Sequence, residues 1–217
     1  MMSNTVQFVG VKVEINSAFG TAKAITGITK ASEAVVTCVG HGLSAGELTV
    51  IDDVVGMSQI NGRVVRVKAT PTTDEFTCEG LDSTGFSTYV SGGTSTEQQS
   101  LLAFTTLANF DYPEPQPNVE DKTTVHALQK IEAFGLDSAS TINFESFSEP
   151  FDPAIVEVRK ASNAKTARIG KCTFNNGTVL IFNGTWAGGR GLSGAAGAFG
   201  KGTISVKLKA PEQYFAS

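Results

Sequence analysis

Apolar and polar residues alternate with a period of two along several stretches of this chain, the spacing of half-buried strands. The cleanest is Thr203–Lys209. Ile204, Val206 and Leu208 fall on one face; Thr203, Ser205, Lys207 and Lys209 fall on the other. Val6–Ile15 reads the same way, with Val9, Val11, Val13 and Ile15 together. Thr96–Ala108 resumes an apolar strand pattern. Thr166–Phe174 and Thr178–Trp186 are strands joined by Asn175-Asn176-Gly177, where Asn and Gly supply the positive φ of a tight turn. Leu180, Phe182 and Trp186 share one face of the second of these, and Val179 and Ile181 the other, so both faces are expected to be covered.

One helix interrupts the strands. Asp152 is placed to cap it, and Pro153 suits its first position because proline has no donor to waste there. Ile155, Val156 and Val158 form its apolar side and Glu157, Arg159 and Lys160 its polar side, and the pattern fades by Ser162-Asn163.

Residues 24–95 have a different rhythm. Short β-branched runs (Ala34–Val39, Leu48–Ile51, Val64–Ala69, Glu75–Glu79) are separated by Gly, Asn, Asp and Pro at intervals typical of a small all-β module. Ser91-Gly92-Gly93-Thr94-Ser95 reads as a flexible joint closing it. Beyond it, Pro113, Pro115 and Pro117 stand at alternate positions. Proline denies a sheet ladder its donor, so this piece is no central strand. Asn109–Ser140 is too long for an idle connection and reads as an ordered arm or long loop.

The chain has 217 residues, enough for one large β domain or two small ones. Charged residues are only 18% of it, which suits a subunit that hides much of its surface against neighbours. The net charge of −4 argues against a cationic nucleic-acid binder. The charge is also polarised. Residues 111–152 hold nine acids and two bases; residues 153–217 hold two acids and nine bases. Such polarity can align like subunits head to tail, or it is two solvated faces. No signal peptide is visible at the amino terminus, and no apolar stretch approaches membrane-spanning length.

Candidate chemistry is sparse. Cys38, Cys78 and Cys172 form no metal or redox motif. His41 and His126 lie far apart, His41 in a Gly-His-Gly turn. Asp52-Asp53 and Asp74-Glu75 are strand neighbours that point to opposite faces. The glycine-rich stretch 188–202 imitates a phosphate loop but misses its spacing and leads into a strand. No catalytic residue, metal or cofactor is therefore expected. The phenylalanines fall in strand positions and read as core, whereas Tyr112 and Tyr214 sit in arm and terminal segments, where tyrosine anchors interfaces.

The order of these features resembles the tail tube proteins of long-tailed bacteriophages over residues 1–23 and 96–217. The features are an N-terminal strand, a strand, a polar arm with Lys130-Ile131-Glu132-Ala133-Phe134-Gly135, the strand Ser140–Phe144, the capped helix, the Asn-Gly hairpin, the glycine loop and the last strand. The resemblance implies a mainly β fold, a β sandwich or partial barrel with one flanking short helix. It also implies a structural, non-enzymatic role. Six copies would close a ring, and rings would stack into a virion tail tube, assembled in the host cytoplasm, through which genomic DNA passes at ejection. Implied partners are other copies of the chain, a tape measure protein, a tail terminator and tail tip or baseplate proteins. Tyr112, Pro113, Pro115, Pro117, Lys130 and Phe134 in the arm, Arg190, Leu192 and Phe199 in the glycine loop, and Tyr214 are the expected contacts between subunits or rings.

Residues 24–95 resemble a small β module that recurs as an insertion in phage virion proteins and is similar to a β half-domain of ubiquitin-activating enzymes, without their catalytic chemistry. Within a tube it would project outward. The alternative is a virion binding or decoration protein that uses this module to contact a glycan or protein of the host surface.

Overall fold

The computed structural model describes residues 8–114, 117–126, 128–137 and 140–216. In chain order its strands are β1 (Lys12–Phe19), β2 (Lys23–Ala24), β3 (Gly27–Ile28), β4 (Val35–Thr37), β5 (Leu48–Val55), β6 (Arg63–Arg66), β7 (Glu75–Thr77), β8 (Ser91–Ala103), β9 (Leu107–Asp111), β10 (Pro117–Asp121), β11 (Glu132–Asp137) and β12 (Thr141–Phe147). The single α-helix among the described residues, α1 (Pro153–Ala164), follows, then β13 (Ala167–Thr173), β14 (Val179–Gly188), β15 (Lys201–Leu208) and β16 (Gln213–Phe215). The fold is mainly β, a curled antiparallel half-barrel with one helix; the strands follow from the pattern of apolar positions, and the partial barrel is what the resemblance implies.

The principal sheet runs β6-β5-β8-β1-β13-β14-β15-β12-β9, with β2 added to β8 and β16 to β14. Its body curls around a core of Val13, Ile15, Ile142, Phe144, Leu180, Phe182, Trp186, Ile204 and Val206, into which α1 presents Ala154, Ile155, Val158 and Ala161. Each of the larger apolar side chains among these contributes about 1.5–3 kcal/mol on leaving water. Phe104 and Phe144 stack on Trp186, with ring centroids 5.9 and 5.8 Å from it. The indole donates to the Arg168 carbonyl at 3.1 Å, so its one polar atom is satisfied. The helix starts where Asp152 accepts from the amides of Ala154 and Ile155, and it ends at Lys165 in the left-handed conformation.

Glu157 departs from the expected polar side. It is buried, and Arg168 Nε meets its carboxylate at 3.2 Å with Lys160 at 3.6 Å. Positions 154, 158 and 161 define the inward stripe, which brings 157 to its border and leaves Val156 only half-buried. The first strand also begins later than its alternation predicts. Gly10 takes φ +74°, which breaks the extended run, and Val9 is exposed; Val6 and Gln7 lie outside the described residues.

Ser91–Ser95 is not a flexible joint. These residues are the start of β8, which pairs first with β5 and then, past residue 97, with β1. The glycines serve close approach: Gly93 has φ +98°, and a Cβ there would stand 2.6 Å from Cγ2 of Val54. The incoming chain is held along the same strand, through Phe19 opposite Gln98 and Lys23 opposite Ser95. A hydrogen-bonded ribbon therefore joins residues 24–95 to the body.

Those residues have a core of their own, built from Val36, Cys38, Ile51, Met57, Ile60, Val65, Phe76 and Cys78. The pairing of β4 with β7 sets Val35 opposite Thr77, so Cys38 lies opposite 74 and Cys78 opposite 34. Four residues of ladder separate the cysteines, about 13 Å, beyond the reach of a disulfide. A second seam lies on the convex side of β13–β14. There Leu48, Val50 and Val64 of the module pack on Ile169, Ile181 and Phe215. Both faces of β14 are covered, as its sequence predicts.

Candidate functional site

The two segments expected to make contacts leave the body at opposite ends of its strands. Along β12, Asn143 lies opposite Asp111 of β9 and Thr141 opposite Lys207, so residues 112–140 depart from that end. At the other end Phe147 lies opposite Lys201, where the glycine-rich loop returns. The seven residues of β12 put about 20 Å between them.

At the first end the arm forms its own antiparallel ladder, β10 with β11, setting Val119 opposite Phe134 and Asp121 opposite Glu132. The sequence foresees an ordered arm; that it is a hairpin follows from this pairing, with Pro117 at the first position of an edge strand, where a missing donor costs nothing. Val119, Val125, Leu128 and Ile131 are exposed on it. Lys130 pairs with Glu132, and Pro113 is exposed. Pro115 lies outside the described residues, as do the side chains of Pro117 and Phe134.

Tyr112 and Tyr214, far apart in sequence, meet at the arm's root. Burial, and then a hydrogen bond to Glu212, push the Tyr112 phenol up to about 12, against a smaller opposing effect of a bond with Ser140. Burial and the same Glu212 also raise Tyr214.

At the second end Arg190 reaches Asn163, which ties the loop to the last turn of α1. Phe147, Phe151, Leu192 and Phe199 are 41, 89, 73 and 84% exposed. The Phe147 and Phe199 rings meet edge to face at 6.1 Å, and Lys201 Nζ stands 5.7 Å from the Phe147 ring centre. Phenylalanines in strand positions read as core from the sequence; Phe147, at the last position of β12, lies out of phase with the core stripe of Ile142 and Phe144 and is exposed. Large exposed apolar groups gathered at one place mark interaction surfaces.

Among the described residues, the His, Cys, Asp and Glu side chains gather into no metal-binding group elsewhere. His41 is buried edge-on to Phe76, and its Nδ1 accepts from the Leu43 amide at 2.9 Å. His126 is exposed on the arm. Asp52 pairs with Lys209 at 3.0 Å, whereas Asp53 is exposed with φ +60°. Asp74 accepts from the Gly40 amide and Glu75 from Thr37. Two clefts border the module. One, of about 500 Å3, holds Lys171, Lys68 and Arg66 over Leu48, Val179 and Ile181. Arg66 is committed to Glu79 by two 2.6 Å bonds and Lys68 to Glu33. The other, of about 340 Å3, lies among Arg63, Asp82, Phe86, Glu212 and Tyr214.

Comparison with known families matches residues 31–99, about a third of the chain, to the FCCH domain of ubiquitin-activating enzyme E1. This is the stretch in which the sequence resembles a module of those enzymes. It covers most of the module together with the first nine residues of β8. Comparison with curated proteins gives no match to the chain.

Proposed function

We propose that this chain is a structural virion protein, the subunit of hexameric rings that stack into a phage tail tube and form the conduit for DNA ejection. The observation that carries this reading is the pair of unlike apolar surfaces at opposite ends of one rigid sheet. One is the hairpin arm with Val119, Val125, Leu128 and Ile131; the other is the Phe147–Phe199 ring pair, with Leu192 exposed on the same glycine-rich loop. Unlike patches at opposite ends pair head to tail, and such heterologous contacts build open stacks. Charge favours the same pairing, because residues 112–140 of the arm hold five acids against two bases, whereas the loop 188–202 holds Arg190 and Lys201 and no acid. A net charge of −4 also suits a conduit along which phosphates slide rather than stick.

Electron microscopy of the purified full chain tests the reading. Rings or tubes of six-fold symmetry are expected, and monodisperse single subunits at every concentration would overturn it. A second reading, a virion decoration protein binding a host glycan or protein through the module, draws on the 340 Å3 cleft beside Phe86 and Tyr214. Host-cell binding lost on changing Tyr214 or Phe86, with no tubes formed, would favour it.

A further inference from the structure

Val179, Ile181 and Asn183 share the face of β14 on which the module sits. The first two belong to the apolar seam with Leu48, Val50, Val64, Ile169 and Phe215. The third is polar and only 4% exposed. Its Nδ2 donates to the Gly62 carbonyl at 2.9 Å, the one buried side-chain hydrogen bond between module and body among the described residues. Its Oδ1 is buried with no hydrogen-bond partner.

Both ends of this bond are held. On the module side, Gly62 donates its amide to the Ile51 carbonyl at 2.8 Å. The neighbouring Asn61 side chain bonds the amide and the carbonyl of Val54, at 2.8 and 3.0 Å. Gly62 takes φ +77° and lies so near the body that a Cβ there would meet those of Lys209 and Ala210 at 3.5 and 3.6 Å. On the body side, Asn183 pairs with Ile169, and its own carbonyl accepts from the Lys209 amide at 2.9 Å. The Lys209–Asp52 ion pair at 3.0 Å is exposed, and water screens it.

The ribbon that joins module to body does not fix an angle by itself. β1 bulges against β8 at Ala18, close to where β8 passes from β1 to β5. A bulge bends a ladder and disrupts it locally. Apolar contact has no preferred direction, so the seam accepts small tilts about that bulge. A hydrogen bond accepts few, because it weakens steeply with distance and angle. Breaking this one leaves a buried donor and a buried carbonyl unpaired.

We propose that the Asn183–Gly62 bond is an orientation lock, and that Asn183 is the positioning residue that selects one tilt of the module from those the apolar seam accepts. The unpartnered Oδ1 fits this role. An apolar side chain at 183 would leave no such atom unpaired, yet only a donor there responds to the position of the Gly62 carbonyl. The inference does not rest on the tail-tube reading, because the bond lies within one chain. In a stacked tube it would give every module the same bearing.

Distances between two spin labels test it. Thr73→Cys in the module and Ala164→Cys at the end of α1 are exposed labelling sites, whereas the native thiols are buried. The full-length labelled protein is diluted in excess unlabelled chain, so that only distances within one chain are read. The parent is expected to give one narrow distribution. Asn183→Leu keeps the size and removes the donor, and is expected to split the distribution or widen it about twofold. Val64→Ala weakens the seam without touching the bond. It is expected to lower the urea midpoint and leave the distribution narrow. A broad parent distribution, an Asn183→Leu distribution as narrow as the parent's, or equal widening in Val64→Ala overturns the lock. Should Asn183→Leu not fold, Asn183→Ala is read in the same way. Failure of both to fold also overturns the proposal, since a lock sets orientation and not the fold.

Discussion

Phe182 lies directly across the ladder from Gly170, its ring where a side chain at 170 would be: a Cβ on Gly170 would stand 2.1 Å from Cζ of Phe182. The ring replaces the missing side chain and reaches the Trp186 stack at 5.9 Å. Gly170→Ala must push that stack, and we expect a loss of about 1–3 kcal/mol, read as a lower urea midpoint with unchanged slope. An unchanged midpoint would mean that the ring moves aside freely.

Asp152 is buried, caps α1, and accepts from the Thr105 amide and hydroxyl through its other oxygen at 3.3 and 2.7 Å. Asp152→Ala removes the cap and leaves the Thr105 donors unpaired. The expected cost is about 2 kcal/mol in chemical denaturation, more than an exposed cap would show.

Alkaline stability should depend on Tyr112. Its phenol titrates near 12 in the fold against 10 when unperturbed. A group whose folded value is raised contributes fully below the unfolded value, and the contribution fades as pH climbs through the folded one. Stability should therefore fall between about pH 10 and 12. Tyr112→Phe should flatten that part of the curve, and tyrosinate absorbance should show a late-titrating phenol that this variant lacks.

The three thiols are free and buried, and burial raises Cys38, Cys78 and Cys172 alike. Thiolate is the reactive form. A disulfide reagent at pH 8 should label the native protein far more slowly than the unfolded chain, and an oxidant should form no Cys38–Cys78 bridge within it. Fast labelling of the native protein would contradict this burial.

The seam between module and body is testable at Val64, which faces Ile169, Ile181 and Phe215 rather than the module's own core. Val64→Asp places a charge in that seam, and a loss above about 3 kcal/mol is expected for the whole chain in one transition. A separate early transition confined to residues 24–95 would show that the module unfolds alone.

Much of this was legible in one dimension, for a local reason in each case. The final strand, the Asn-Gly hairpin and the doubly covered β14 follow from side-chain alternation. The helix start follows from an Asp-Pro pair whose roles need only adjacent residues. Elsewhere local signals misled. Gly92-Gly93 reads as flexible, because glycine composition does not distinguish freedom from close packing; Val54 decides that here. Glu157 reads as solvent-facing, because Arg168, its partner, lies on a later strand. Phe147 reads as core from its residue type, whereas on β12 it lies out of phase with Ile142 and Phe144 and faces away from them. Of the expected contact residues, the sequence located the arm and the loop, and the tyrosines as unusual, but not that Tyr112 and Tyr214 share Glu212.

The sequence by itself determined the elements: which segments extend, where the one described helix begins, which side of each strand is apolar, and that the module is β. These depend on propensity and period, which act over a few residues. Tertiary structure alone decided that the module is bonded into the body's sheet and packed on its convex face. It alone set the cysteines four ladder positions apart and put the arm and the phenylalanine cluster at opposite ends. Those outcomes depend on strand register and sheet curl, which arise from pairing between residues distant in the chain, such as Asn183 and Gly62.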